Sequence, residues 1–256
     1  MALLSSVKPQ QGINFRDMAG LPGRDGRRIR AGCLFRSGAL NELNEEDLVQ
    51  LAALPLIHVV DYRDHVESER HPDRLWTGAI YHAVPANPLH ATVSASLDSL
   101  VSEAIHDFDA VAFMLELYRL LPFKNPAYQH LSALLRDPAT TSLVQHCAVG
   151  KDRTGIGSAL LLFALGASKQ TVMEDYLLTQ TALAPFRERM LSGFAGKLDE
   201  DSLGKLNYVL SVHPSCLQVA IDEIERQYGS IDSWLALEYQ LDDVACAALQ
   251  QRFLLP

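Results

Sequence analysis

The chain has 256 residues, with 22 Lys and Arg against 31 Asp and Glu, giving a formal net charge of −9. With 48% hydrophobic and 21% charged residues and only 15 Gly and 12 Pro, its composition excludes disorder, collagen-like repeats and low complexity as descriptions of the whole chain. The acidic balance argues against a general nucleic-acid binder, so any anionic ligand must be held by a local site. Cys33, Cys147, Cys216 and Cys246 are scattered with no CxxC pair, the pattern of free thiols in a reducing compartment. The N-terminal apolar run, Ala2-Leu3-Leu4, is too short for a signal h-region, and Ala159 to Leu165 falls far short of the roughly 20 residues a membrane span needs. The expectation is one domain over residues 1–256 with no transmembrane segment and a cytoplasmic address, secretion without a cleaved signal being left open.

In chain order, Arg16 to Arg36 carries six arginines and two aspartates, a basic segment on an acidic body. Gly20, Gly23 and Gly26 form no GxGxxG after a strand and indicate a turn-rich loop. Glu45 to Ala53 has a helical pattern that Asn44 can cap. Leu56 to Tyr62, a short apolar and β-branched run after Pro55, suits a buried strand, and Ala79 to Val84 and Ser142 to His146 are two more. Leu97 to Leu120 places apolar residues at helical spacing. Thr154 to Leu165, nearly all apolar or small, predicts a helix buried on most sides that Gly166 can end. From Lys169 to Leu255 the pattern is helical. Strands alternating with helices, then helices alone, predict an α/β fold: a central, mostly parallel sheet flanked by helices, with a helical C-terminal part.

The segment His146-Cys147-Ala148-Val149-Gly150-Lys151-Asp152-Arg153-Thr154-Gly155 runs from a strand through a short loop into a buried helix. Such a loop gathers successive backbone N–H groups into one concavity and adds the positive end of the helix dipole, so it suits an oxyanion. Gly150 permits the tight curvature, and Gly155 allows close helix packing. A thiol at that position is favoured as thiolate, which makes Cys147 a candidate nucleophile. The planar fork of Arg153 can grip two oxygens of a tetrahedral anion. Ala148, Val149, Gly150, Lys151 and Thr154 are the expected substrate-binding residues, and the Thr154 hydroxyl can also assist the sulfur as a leaving group.

HCAVGKDRTG resembles the signature loop HCxxGKDRTG of the atypical bacterial tyrosine phosphatases, within the cysteine-dependent phosphatase superfamily. Asn14-Phe15-Arg16-Asp17 is similar to that family's NFRD element, Leu34-Phe35-Arg36-Ser37 to its L-[YF]-R-S strand, and Val60-Asp61-Tyr62-Arg63 with Glu67 to its DLR-x3-E element. Asp175-Tyr176-Leu177-Leu178 and Tyr228-Gly229-Ser230 also match, so the resemblance spans almost the whole chain in order. It implies a tyrosine-phosphatase-type fold, metal-independent hydrolysis through a phosphocysteine on Cys147, and phosphate binding by Arg153. The implied substrates are phosphotyrosine proteins, with phosphoserine, phosphothreonine and phosphoinositides as further possibilities, and Lys151 offers a point charge to a highly anionic head group. Met18-Ala19 and Tyr62 depart from the family pattern without removing a catalytic group. Some members carry a longer helical lid in the segment corresponding to Thr181 to Val212.

An alkoxide leaving group needs a proton from a nearby carboxylic acid. Asp152 is favoured because its place beside Arg153 is specific to this loop, and Asp61, at the end of a core strand, is the alternative. His146 is expected to orient the loop. Cys33, Cys216 and Cys246 are expected to be small core residues. The other eight histidines show no HExxH or Cys/His spacing, so neither a metal nor a cofactor is expected. Arg16 and Arg36 are left open between holding an anionic substrate and pairing with Asp17 or helix ends. The competing functions are a catalytically silent phosphate-binding scaffold, a sulfurtransferase, and an arsenate reductase. The last needs a resolving cysteine nearby, and the closest in sequence, Cys216, is 69 residues on.

Overall fold

The computed structural model describes residues 9–88, 105 and 109–256. Five strands, β1 (Arg16–Asp17), β2 (Leu34–Ser37), β3 (His58–Asp61), β4 (Ile80–Ala83) and β5 (Leu143–His146), form one sheet in the order β1-β2-β5-β3-β4. All neighbours are parallel except β1, which runs antiparallel to β2 at one edge. The expected strands over 56–62, 79–84 and 142–146 are therefore present, the first two trimmed at both ends and the third at its start.

Side chains alternate across the sheet as a strand's period of two requires. Leu34, Val60 and Leu143 face the larger core, while their neighbours Phe35, Val59 and Val144 face a smaller one with Leu51, Leu56 and Trp76. The strand β5 is buried along its length, as befits the middle of a parallel sheet covered on both faces. The register sets Ser37, His146 and Asp61 level at the carboxyl ends of β2, β5 and β3. Loops leaving that edge form the crevice where open α/β sheets bind ligands.

Helices α1 (Glu45–Ala52) and α2 (His65–Arg70) follow β2 and β3, and α3 (Ala110–Leu120) and α4 (Pro126–Arg136) precede β5. Asn44 caps α1 through a capping box with Asp47. Of the helical pattern expected over Leu97 to Leu120, residues 97–104 and 106–108 lie outside the described residues, and the described part contains α3 from Ala110. The Asp109 carboxylate caps it by accepting the Ala112 N–H at 2.9 Å.

Helix α5 (Asp152–Ala164) starts two residues earlier than its apolar pattern suggests and is buried from Arg153 to Ala164. It packs against the sheet closely: a Cβ on Gly157 would lie 2.2 Å from Gln145 Oε1 and 2.8 Å from the Tyr62 hydroxyl. The helical C-terminal part resolves into α6 (Lys169–Ala182), α7 (Ala184–Phe194), α8 (Glu200–Leu210), α9 (Pro214–Tyr228), α10 (Ile231–Tyr239) and α11 (Asp243–Phe253). No helix among the described residues is long and apolar enough to cross a membrane.

Candidate active site

Cys147 follows the last residue of β5, and α5 begins at Asp152, so residues 147–151 form the turn between them. Its shape is imposed from behind. The Ala148 carbonyl accepts the Ala39 N–H at 3.0 Å. The Val149 carbonyl accepts Asn14 Nδ2 at 3.1 Å, and the Gly150 carbonyl accepts both Asn14 Nδ2 at 2.8 Å and Arg36 Nη2 at 2.9 Å. A trans peptide carries its N–H opposite its C=O, so the amides of Val149, Gly150 and Lys151 are turned to the inside of the loop. Gly150 has φ +70°, and a Cβ there would lie 2.4 Å from the Ser37 carbonyl oxygen, so no other residue fits this turn. The first-turn amides of α5 and its dipole complete an anion cradle.

The backbone anchors are themselves anchored. Asp175 of α6, buried, pairs with both Arg36 and Arg16, and Arg16 Nη1 also donates to the Asn14 side-chain oxygen. Burial alone would raise the Asp175 carboxyl, but the two guanidiniums hold it below its ordinary value. Arg16 and Arg36 are thus engaged behind the loop, with Asp175, Asn14 and the Gly150 carbonyl. Asp17 instead accepts the N–H groups of Ala19 and Gly32.

Arg153 projects to the other side and is held by Glu67 of α2, with Nη1–Oε2 2.6 Å and Nη2–Oε1 2.9 Å. Despite burial, which opposes it, this pairing keeps Glu67 ionised at lower pH than usual. Cys147, Asp152 and Arg153 line one pocket of about 40 Å³ with Phe113, Met114 and Leu117 of α3 and Val209 and Leu210 of α8. Of the segment 181–212, α8 thus lines this pocket, while Phe186 and Met190 of α7 line a neighbouring one. A larger pocket of about 240 Å³ next door shares Ala148 and Val149 but contains no nucleophile. The Thr154 hydroxyl is buried without a partner among the described residues, available to a sulfur or an oxyanion.

The Lys151 side chain is engaged within the protein. Its ammonium, almost fully buried, donates to the carbonyls of Val209 at 2.5 Å and Ser211 at 2.9 Å and lies 3.2 Å from Asp152 Oδ1. It is a tie between the loop and the C-terminal end of α8, where a cation is favoured.

The two carboxylates considered as acids have opposite surroundings. Asp152 has a side chain 18% exposed within the pocket. Asp61 is buried, accepts three guanidinium N–H bonds from Arg63 at 2.7–3.0 Å, and takes the Tyr81 hydroxyl. Burial would raise its carboxyl, but His146, Arg63 and Tyr81 together carry it far below the carboxylate range. These partners hold the Asp61 carboxylate in its ionised form, which favours Asp152 over it as a proton donor.

His146 is fully buried, 3.1 Å from Asp73 and 3.8 Å from Asp61. Burial disfavours its charge, but the two aspartates outweigh this and raise its affinity for the proton. Donor atoms of Asp61, Asp73 and His146 lie within 4.8 Å of one another, the spacing of a metal site. Arg63 already bridges the two aspartates at 2.7 Å each, so these carboxylates have a countercharge within the protein. Cys216 is buried, while Cys33 and Cys246 pack half-buried against the larger core. Burial raises all three thiols, those of Cys216 and Cys246 to about 11.

Sequence inspection missed Asn14, Asp73 and Tyr118 as parts of this site. Asn14 alone carried a signal, standing in a matched motif with the positive φ that Asn tolerates better than most residues.

The profile of the tyrosine phosphatase family matches residues 7–255. The chain is similar to a Cupriavidus necator protein provisionally named a tyrosine-protein phosphatase, 32% identical over 90% of this chain and 82% of the relative. It is also similar to the triple specificity protein phosphatase PtpB of Mycobacterium tuberculosis, 28% identical over 87% of this chain and 90% of the relative. These matches do not favour a silent phosphate-binding scaffold. With the thiol, the guanidinium and the amide cradle brought into one pocket, the chain belongs to the tyrosine phosphatase family and is a cysteine-dependent phosphatase hydrolase.

Proposed function

We propose that Cys147 is the nucleophile, Arg153 the phosphate-binding cation and Asp152 the general acid of a phosphomonoesterase acting on phosphotyrosine, and also on phosphoserine, phosphothreonine and phosphoinositides. The observation that carries this is the convergence of Cys147, Asp152 and a Glu67-oriented Arg153 on one pocket. The Cys147 thiolate attacks phosphorus in line with the ester oxygen. The loop amides and Arg153 take up the charge on the equatorial oxygens, as preorganised donors do where charge develops. Asp152 protonates the departing oxygen, and then as a carboxylate removes a proton from the water that hydrolyses the phosphocysteine. The unpartnered Thr154 hydroxyl supports its donation to the departing sulfur in that second step. His146, fixed between two aspartates, orients the start of the loop. The breadth of substrates is supported by the name of the mycobacterial relative, a triple specificity phosphatase.

The experiment is phosphate release from a phosphotyrosine peptide in EDTA, comparing wild type with Cys147→Ser, with and without vanadate. Activity in EDTA that is lost in the variant and blocked by vanadate supports the assignment. Activity retained in Cys147→Ser, or abolished by EDTA, overturns it.

A further inference from the structure

Asp152 is held by one oxygen only. The Tyr118 hydroxyl of α3 donates to Oδ1 at 2.8 Å, and Lys151 Nζ lies 3.2 Å from the same atom. Among the described residues, every protein donor to this carboxylate is on Oδ1. Tyr118 in turn is 2.8 Å from the hydroxyl of Tyr176 on α6, ring against ring edge at 75°. Both tyrosines are fully buried, and burial pushes both phenols well above their ordinary value, so they remain donors throughout the working range.

The direction of this chain follows from the number of protons available. An ionised carboxylate only accepts, so the single hydroxyl proton of Tyr118 is committed to Oδ1. The bond between the two tyrosines must then be donated by Tyr176. When Asp152 takes up a proton, placing it on Oδ1 would turn that proton toward an ammonium and force Tyr118 to reverse. Placing it on Oδ2 disturbs nothing.

We propose that Tyr118, backed by Tyr176, is a positioning residue that fixes Asp152 by Oδ1, so that Oδ2 carries the proton delivered to the leaving group. This rests on Asp152 being the general acid. In the first step the S–P bond forms, the P–O bond breaks, and the Oδ2 proton passes to the departing oxygen, leaving a carboxylate with its Oδ1 bonds unchanged. In the second step water gives its proton back to Oδ2 as its oxygen bonds to phosphorus and the thiolate departs. The anchored oxygen takes part in neither transfer, so the carboxylate need not rotate between steps.

The test compares leaving groups. Tyr118→Phe removes one oxygen and leaves the ring. kcat/KM is measured for p-nitrophenyl phosphate, whose leaving group needs little proton assistance, and for a phosphoserine peptide, whose leaving group needs much. General acid assistance contributes about 10²- to 10⁴-fold, and loss of orientation forfeits part of it. We expect a loss of about 3-fold on the first substrate and about 10- to 30-fold on the second. In an Asp152→Asn background the same substitution should add no selective loss. Equal losses on both substrates would mean that Tyr118 only packs the core, and the proposal would fail. If Asp152→Asn itself shows no selective loss on phosphoserine, the general-acid assignment falls and this proposal with it. If Asp152→Asn shows the loss and Tyr118→Phe does not, only the positioning role is overturned. Should Tyr118→Phe not fold, Tyr176→Phe is measured in the same way. A selective loss of about 2- to 5-fold there supports the proposal, and none overturns it.

Discussion

Glu67→Gln separates the charge opposite Arg153 from the shape that carries it. Gln is nearly isosteric, and at the third position of α2 it can still accept the Asp64 N–H, now bonded to Glu67 Oε2 at 2.8 Å, so the capping box survives. What changes is the face toward Arg153. One of the two oxygens paired at 2.6 and 2.9 Å becomes an NH₂ group directed at guanidinium hydrogens, and the countercharge disappears. Both side chains are about 5–6% exposed, so solvent screens little of this loss. Removing one partner of a buried ion pair costs about 3–5 kcal/mol, of which a retained hydrogen bond returns a part. We expect about 3 kcal/mol of destabilisation, with Tm falling by several degrees. Freed from its fork, Arg153 should also lose its alignment, and kcat/KM on a phosphotyrosine peptide should drop about 100-fold, equivalent to about 2.7 kcal/mol. Vanadate resupplies negative charge to the guanidinium. It should therefore raise Tm more in Glu67→Gln than in wild type, a pattern that simple loss of packing does not produce. A kcat/KM within threefold of wild type, or a Tm deficit unaltered by vanadate, would refute the idea that Glu67 orients Arg153.

Gly150→Ala should abolish phosphatase activity, because the new Cβ would meet the Ser37 carbonyl oxygen at 2.4 Å in a residue with φ +70°; measurable turnover with the loop intact would contradict the geometry. Lys151→Ala should lower kcat/KM on phosphotyrosine and phosphoinositide substrates by similar factors, since the ammonium ties Val209 and Ser211 of the α8 terminus to the loop. A loss confined to phosphoinositides would return the head-group role to this lysine. Asp61, Glu67 and Asp175 all have carboxyls depressed below their unfolded values of 3.8 or 4.5. Their stabilisation is complete above the unfolded values and disappears as pH falls through the folded ones, so the contribution of these three groups should be constant near neutrality and Tm should fall steeply below about pH 4. A Tm that stays level to pH 2 would contradict this. His146 is shifted upward, so its contribution has the opposite sign: it is present below 6.5 and lost as pH rises through the folded value. His146→Asn should flatten the neutral-to-alkaline part of the Tm profile.

The front of this site was legible in sequence and its back was not, for a physical reason. A strand, a turn with glycine and a helix start are contiguous, so local propensity and spacing sufficed to place Cys147, Gly150 and Arg153 together. The two residues of β1 are too few to show a period, and they pair only because β2 lies beside them. The partner of Arg36 is 139 residues away, and nothing at either position reveals the other, so its role stayed open until the fold closed. Tyr118 occupies an apolar helical stripe, where a tyrosine reads as core. The ring is core, and the hydroxyl's bond to Asp152 is a tertiary fact. Lys151 and Arg153 show the limit most sharply. They are two residues apart in one basic loop, and their types assign both to the same anion. A helix turns about 100° per residue, so positions two apart at its start diverge by about 200°. One side chain is thereby sent to Glu67 and the catalytic pocket, and the other to the carbonyl end of α8. Residue type and spacing identify which cations such a loop owns, while the helical phase decides which partners each of them reaches.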